Sequence, residues 1–376
     1  MFKLIPMSLY IHIPWCLKKC EYCDFNVYVK KNDIPEHEYI QHLLQDLEID
    51  LKLIDNREIQ TIFIGGGTPS LFQNKFIQKL IQGIKKRALL SNSIEISIEA
   101  NPKKIETKNF IHYRESGINR LSLGIQTFNE KYLKVLGRAY NTEEAIDSLE
   151  IAQKVFNNVN IDIMYGLPSQ SFNDALLDVH HAIHYNPSHI SWYQLMIEPN
   201  TIFYAKKISV PKENMILKTC YQGDKLLKKS GYKKYEISSY SKPNYICKHN
   251  LNYWSFGDYI GIGCGAHGKI TTKNGTIIRT VKNKNPYGFM QGNYTVSAHT
   301  VSRKDIIFEY FMNTFRLYNP ISKKKFTEQT KICEKKIKKY IDIAIQEGYL
   351  IDTLKYWNTT KKGKKFLNSL LEIFLS

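Results

Sequence analysis

Ser8-Leu-Tyr-Ile-His-Ile-Pro-Trp-Cys16-Leu-Lys-Lys-Cys20-Glu-Tyr-Cys23-Asp-Phe-Asn26 is an apolar, strand-like run that feeds directly into three cysteines. Their spacing is C-x3-C-x2-C, and no fourth cysteine lies nearby. A closed structural zinc site takes four protein ligands, and a four-thiolate iron–sulfur cluster takes four sulfurs. Three thiolates from one short loop leave a metal position open, and an open position is where chemistry takes place. The alternative is a Cys3His zinc site completed by His12 or by a distant histidine. Cys220, Cys247, Cys264 and Cys333 are scattered, so no disulfide framework is in view and a reducing compartment is expected.

Outward from this loop, the first 240 residues alternate two kinds of pattern. Apolar, β-rich runs occur at Leu9–Ile13, Ile59–Ile64, Ile94–Ile98, Arg120–Ile125, Val159–Met164, Ile190–Met196 and near Tyr235–Ser239. Segments of helical spacing separate most of them: Glu36–Ile54, Lys75–Arg87, Thr142–Val155, Asn173–His184 and Asn214–Lys229. Such alternation predicts a parallel sheet with crossover helices. Six or so units are too few for an eight-fold barrel, so a partial (β/α)6 TIM-like barrel is expected, with a doubly wound open sheet as its rival. In parallel βα folds ligands collect at the carboxyl edge of the sheet. The successive runs end in the cysteine loop, Gly65-Gly-Gly-Thr-Pro69, Glu99-Ala-Asn-Pro102, Gln126 and Asp162, and the sixth carries Gln194. One polar strand end means nothing, but five in register predict a site.

The glycine run lacks the Gly-Lys-Ser/Thr ending of a phosphate-binding loop. It serves either as a turn or as backbone open to close approach by a ligand. Residues 241–300 read as a connecting segment. In the last 75 or so residues, Ile306–Leu317 and Glu334–Glu347 have helical spacing, Gly348–Ile351 and Tyr356–Asn358 are strand-like, and Lys364–Phe374 closes as a helix. This predicts a smaller α+β, winged-helix-like domain over residues 301–376.

The chain has 376 residues and a formal charge of +18. Nucleic acid is nevertheless not the expected partner. Lysine outnumbers arginine 45 to 8, whereas phosphate and base readers rely on arginine's planar fork. Lys335-Lys-Ile-Lys-Lys339 and Lys361-Lys-Gly-Lys-Lys365 read as solvated helix faces. The surplus charge suits peripheral contact with an anionic membrane. No run of about 18 apolar residues is present, and no signal peptide precedes the first strand, so a cytoplasmic location is expected.

The cysteine spacing after a short strand resembles the signature of radical S-adenosylmethionine (SAM) enzymes. In that family three thiolates hold three irons of a [4Fe–4S] cluster, SAM chelates the fourth, and reduction releases a 5′-deoxyadenosyl radical. The resemblance implies Cys16, Cys20 and Cys23 as cluster ligands. It implies Tyr10, Tyr22, Gly66, Gly67, Thr68, Glu99, Gln126, Arg138 and Asp162 as SAM contacts. Without it, Arg138 reads as a surface helix ion pair of little weight, and Asp162 as a polar strand end.

The likeness narrows further along the chain. Tyr10-Ile-His-Ile-Pro-Trp-Cys16, Gly65-Gly-Gly-Thr-Pro-Ser70, Glu99-Ala-Asn-Pro102, Leu123-Gly-Ile-Gln-Thr-Phe128, Asp162-Ile-Met-Tyr-Gly-Leu-Pro168 and Ile260-Gly-Ile-Gly-Cys-Gly-Ala-His-Gly268 occur in order. Together they resemble the oxygen-independent coproporphyrinogen III oxidase group, in its HemW-type haem chaperone branch. The oxidases extend the cysteine signature to C-x3-C-x2-C-x-C, but Phe25 occupies that position here. They also carry an amino-terminal extension, for which a loop starting at residue 16 leaves no room. His249-Asn-Leu-Asn-Tyr-Trp254 resembles the H-N-x-x-Y-W motif of the chaperone branch, implicated in haem binding. A histidine nitrogen suits the iron, and Tyr253 and Trp254 could cover the macrocycle; a packed aromatic corner is the plain alternative. His267 is a second candidate ligand, and Cys247 a weaker one. The resemblance implies haem as cargo and haem-accepting, respiratory proteins as partners. The rival functions are decarboxylation of coproporphyrinogen III, and nucleic-acid binding or modification through the basic carboxyl domain.

Overall fold

The computed structural model describes residues 5–375. The six expected strands form as β1 (Met7–Ile13), β2 (Ile59–Gly66), β3 (Leu90–Ala100), β4 (Arg120–Gln126), β5 (Val159–Tyr165) and β6 (His189–Gln194). They pair in parallel in that order. Between them run α1 (Glu36–Leu51), α2 (Asn74–Arg87), α3 (Phe110–Ser116), α4 (Thr142–Val155) and α5 (Phe172–Tyr185), followed by α6 (Glu213–Lys229). Two of these helices start at capping boxes: Asn141 with Glu144 for α4, and Ser171 with Asp174 for α5. The seventh expected run is displaced: residues 235–238 lie outside the strands, and pairing resumes at β7 (Ser239–Ser241), antiparallel to β6.

The strands alternate in a way that sets the whole architecture. Leu9, Ile11, Ile62, Ile64, Ile96, Ile98, Leu121, Leu123, Ile161 and Ile163 are buried in the main hydrophobic core. The residues between them, on the opposite face, include Tyr10, His12, Phe63, Glu99, Arg120, Ser122, Asn160 and Asp162, which line cavities. One face of the sheet is therefore apolar and helix-covered, and the other is a polar interior.

Residues 241–300, expected to connect, instead extend this sheet. After α7 (Lys248–Trp254) come β8 (Asp258–Ile262), β9 (His267–Thr271), β10 (Ile277–Lys282) and β11 (Thr295–Thr300). β8 pairs in parallel with β1, which thereby becomes a central strand, and β9 to β11 follow antiparallel. The result is a 12-stranded sheet running from β11 at one edge to Lys233–Lys234 at the other. Glycine hides β8 from a periodicity reading yet is required there. A Cβ on Gly261 would stand 2.1 Å from the His267 carbonyl oxygen, so only glycine lets β9 fold back this tightly. A buried ion network pins the addition: Asp258 lies 2.7 Å from Arg57 and 2.8 Å from Lys269.

Residues 301–375 build a second core around Phe311, Phe326 and Trp357. Its helices are α8 (Arg303–Thr314), α9 (Lys323–Thr330) and α10 (Lys338–Gln346), with Ile321–Ser322, Tyr356–Thr359 and Leu350–Asp352 forming a small antiparallel sheet. The helix expected over Glu334–Glu347 opens with a 3-10 turn, Glu334–Ile337, before α10. The closing helix is divided at Phe366 into Lys361–Lys365 and Leu367–Glu372. α9 escaped the pattern because seven of its eight residues are lysine, threonine, glutamate or glutamine, which leaves Phe326 alone and gives no apolar stripe.

Candidate functional site

The cysteine loop leaves the end of β1 and is tied down at both ends. Gly67 N–H donates to the Ile13 carbonyl at 2.7 Å, and Thr68 N–H to the Trp15 carbonyl at 2.8 Å. His12 Nε2 donates to the Asn26 carbonyl at 2.9 Å and its Nδ1 accepts from Tyr10 at 3.0 Å. Asn26 in turn donates to the carbonyls of Cys264 (3.1 Å) and Lys284 (3.0 Å). Both nitrogens of His12 are thus engaged, which removes it as a fourth metal ligand. Among the described residues, no three His, Cys, Asp or Glu side chains converge as the ligands of a single ion do. A cubane takes one thiolate per iron, so its three sulfurs need no such convergence.

Cys16, Cys20 and Cys23 all line a cavity of about 540 Å³ at the carboxyl edge of the barrel. Eight of the nine SAM candidates line it too: Tyr22, Gly66, Gly67, Thr68, Glu99, Gln126, Arg138 and Asp162. Tyr10 lies instead on an adjoining cavity of about 490 Å³. Phe25, at the position of the oxidases' extra cysteine, is 56 % exposed and stands at the lip of both. Burial pushes the Cys16 thiol up to about 11, with Thr68 at 3.5 Å opposing the rise. A thiol so placed needs a cationic metal to ionise, which is what iron supplies.

The glycine run does two jobs. Gly66 has φ +111°, and a Cβ there would meet the His12 ring at 2.5 Å, so the tight packing of β2 on β1 demands glycine. The N–H groups of Gly66, Gly67 and Thr68 are already taken by Glu99, Ile13 and Trp15. Only carbonyls remain for a ligand, and carbonyls suit an ammonium group. Glu99 is the matching anion. Burial, then the neighbouring Asp162, raises its carboxyl to about 7. Gln126 sits in the left-handed region at φ +67°, a costly backbone state for a non-glycine residue, and its amide oxygen accepts from Tyr193 at 2.7 Å.

Arg138 is no surface ion pair. Its guanidinium donates to Cys20 Sγ (3.2 Å), Tyr22 Oη (3.3 Å), Tyr140 Oη (2.9 Å) and Asn101 Oδ1 (2.6 Å). Asp162 accepts from Ser122 at 3.0 Å and from Asn160 at 2.9 Å, facing both cavities.

The haem candidates divide between the two spaces. His249, Tyr253 and His267 line the second cavity, and Trp254 lines the first, with the Arg316 guanidinium 4.9 Å above its ring. His249 is held by the start of α7, where its N–H donates to Glu95 at 3.1 Å, and its ring stacks on Phe63 at 5.1 Å. Thr61 Oγ1 lies 2.8 Å from His249 Nδ1 and 2.7 Å from the Ser8 hydroxyl, so Nδ1 is engaged in a short polar chain. The other ring nitrogen, Nε2, is buried without a partner. Burial, then Arg120, lowers the imidazole to about 3, so it stays neutral. His189, equally buried, differs: both its nitrogens are bonded, to Asn160 and Tyr235. Cys247 is buried at about 12 as a thiol beside Glu95 and does not line either cavity. His267 is exposed at the cavity rim.

Residues 10–180 match the Radical SAM superfamily model. The chain is 65 % identical over its whole length to "Heme chaperone HemW" of Buchnera aphidicola subsp. Acyrthosiphon pisum, covering 100 % of both chains. This chain belongs to the HemW family of radical SAM proteins. It is also 49 % identical to "Heme chaperone HemW" of Escherichia coli K12, again over 100 % of both. Among solved structures, coproporphyrinogen III oxidase (HemN) from Escherichia coli, a radical SAM enzyme, superposes with a TM-score of 0.84. It is 23 % identical and covers 99 % of this chain and 91 % of that one, so it establishes the fold alone. Family membership carries a [4Fe–4S] cluster and SAM, and the first cavity has the thiols, carbonyls and carboxylate to hold them. Among the described residues, no helix is long and apolar enough to cross a membrane.

Proposed function

We propose that this chain is a haem carrier: it takes haem into the second cavity, beside the cluster and SAM in the first, and passes it to haem-requiring acceptors, respiratory proteins among them. The observation that carries this reading is His249, a neutral buried imidazole whose Nε2 has no partner, in the wall of a cavity lined by Tyr10, Phe63, Tyr253 and Tyr259. Haem iron is commonly held by such a histidine, and aromatic area suits the macrocycle. His267 at the rim is the second ligand in this reading. Cys16, Cys20 and Cys23 hold the cluster, Glu99 and the carbonyls of the glycine run receive the SAM ammonium, and Arg138 orders the cysteine loop. When bound, the cluster supplies the electron that cleaves the sulfonium of SAM. Phe25 at the lip, in place of a cysteine, supports the chaperone reading over propionate decarboxylation.

Anaerobic reconstitution, followed by iron, sulfide and haem quantification on one sample, tests this. The expected outcome is stoichiometric haem with no conversion of coproporphyrinogen III. A cluster-loaded chain that takes up no haem defeats the proposal.

A further inference from the structure

Arg120 opens β4 and faces the second cavity, yet its side chain is only 2 % exposed. Its Nε has no hydrogen-bond partner. The nearby carboxylates are occupied by other donors. Glu95 accepts the N–H groups of Lys248 and His249, each at 3.1 Å, and Asp162 accepts from Ser122 and Asn160. Their fields sustain the guanidinium charge, but neither stands in an ion pair with it. A buried cation without a bonded partner is expensive, and the planar fork of arginine fits a carboxylate in two-pronged fashion. His249 Nε2 is the other unpartnered buried nitrogen on the same cavity wall. The wall of one space therefore holds an unpartnered imidazole nitrogen, an unpaired guanidinium and aromatic rings.

We propose that Arg120 anchors a carboxylate of the ligand held in the second cavity: a propionate of a metallotetrapyrrole whose iron meets His249. This rests on the haem reading above. The carboxylate of SAM is the other source of the same chemistry, and the test separates the two.

Haemin and haemin dimethyl ester, in which both propionates are capped, are titrated into the anaerobically reconstituted full chain. The wild type is compared with Arg120→Lys, Arg120→Gln and His249→Ala, and SAM affinity is measured on the same samples. Iron and sulfide content reports whether each variant has folded, and the lysine variant keeps the charge should glutamine unfold the barrel. The wild type is expected to prefer haemin over the ester on the order of tenfold. Arg120→Gln erases that preference, Arg120→Lys keeps part of it, and His249→Ala alters the Soret band while preserving it. A fall of similar size in SAM affinity, with the preference intact, assigns the anchor to SAM instead. Uptake of no haemin by the wild type defeats the haem reading alone, and the SAM arm then decides the anchor. Arg120 is overturned as an anchor if neither the preference nor SAM affinity changes.

Discussion

Arg138 Nη1 lies 3.2 Å from Cys20 Sγ, placing a guanidinium against one of the three sulfurs proposed to hold the cluster. Burial opposes the charge on Arg138, but Tyr140, Tyr22 and Cys20 more than restore it. The side chain spans from α4's approach to the cysteine loop, and its fork touches five partners at once, the Gly124 carbonyl at 3.3 Å among them. Arg138→Lys keeps the charge but loses the fork. We expect SAM affinity to drop roughly tenfold, with cluster iron shed faster in air, while the reconstituted iron content stays near wild type. Unaltered affinity and air stability would show that point charge suffices.

Glu99 predicts a pH dependence with a definite sign. Its carboxyl is raised to about 7, so below that pH it is neutral and offers no anion to the SAM ammonium. SAM affinity should rise between about pH 6 and 8 and level off above. Glu99→Gln should flatten the profile. A wild-type affinity independent of pH over this range contradicts the assignment.

The two cavities predict separable losses. Cys16→Ser, Cys20→Ser or Cys23→Ser should abolish the broad absorbance near roughly 400 nm of a thiolate-bound cluster. His249→Ala should leave that absorbance and the iron and sulfide content in place while weakening haem retention. An unchanged Soret band and haem content in His249→Ala rejects it as a ligand.

Asp258 carries the stability prediction. Burial alone would raise its carboxyl, but Lys269 and then Arg57 hold it below the usual carboxylate range. Its contribution is therefore complete above the unfolded value of about 3.9 and lost as pH falls through the lower folded value. Asp258→Asn leaves two buried cations unmatched and should cost about 3–5 kcal/mol at neutral pH. Urea unfolding at a series of pH values checks this. The gap between wild type and variant should narrow below about pH 4, and a gap constant with pH refutes the ion-network account.

The barrel was legible because its runs keep a single period. Leu9, Ile11, Ile62, Ile64, Ile96 and Ile98 mark buried strands, and Asn141 and Ser171 mark helix starts. The first cavity was legible through its strand ends. Two things were not. β8 and β9 are short, with consecutive buried positions and one glycine each, and β11 is exposed at all six positions, so none of them shows an alternation. The second cavity's wall was missed because attention to apolar residues passed over what lies between them. Arg120 and Ser122, Asn160 and Asp162, and Ser191 recur at every second position within buried strands. A row of polar side chains with that period, inside otherwise apolar runs, is the signal of a polar barrel interior.

The pairing of β1 with both β2 and β8 bears on how the molecule is made. The second neighbour of β1 follows it by some 245 residues. Asn26, at the tail of the cysteine loop, fastens to carbonyls of Cys264 and Lys284. The cysteine loop thus cannot lock until residues as far on as Lys284 are in place. Anchoring of the cysteine loop is in this way coupled to completion of the sheet beside it.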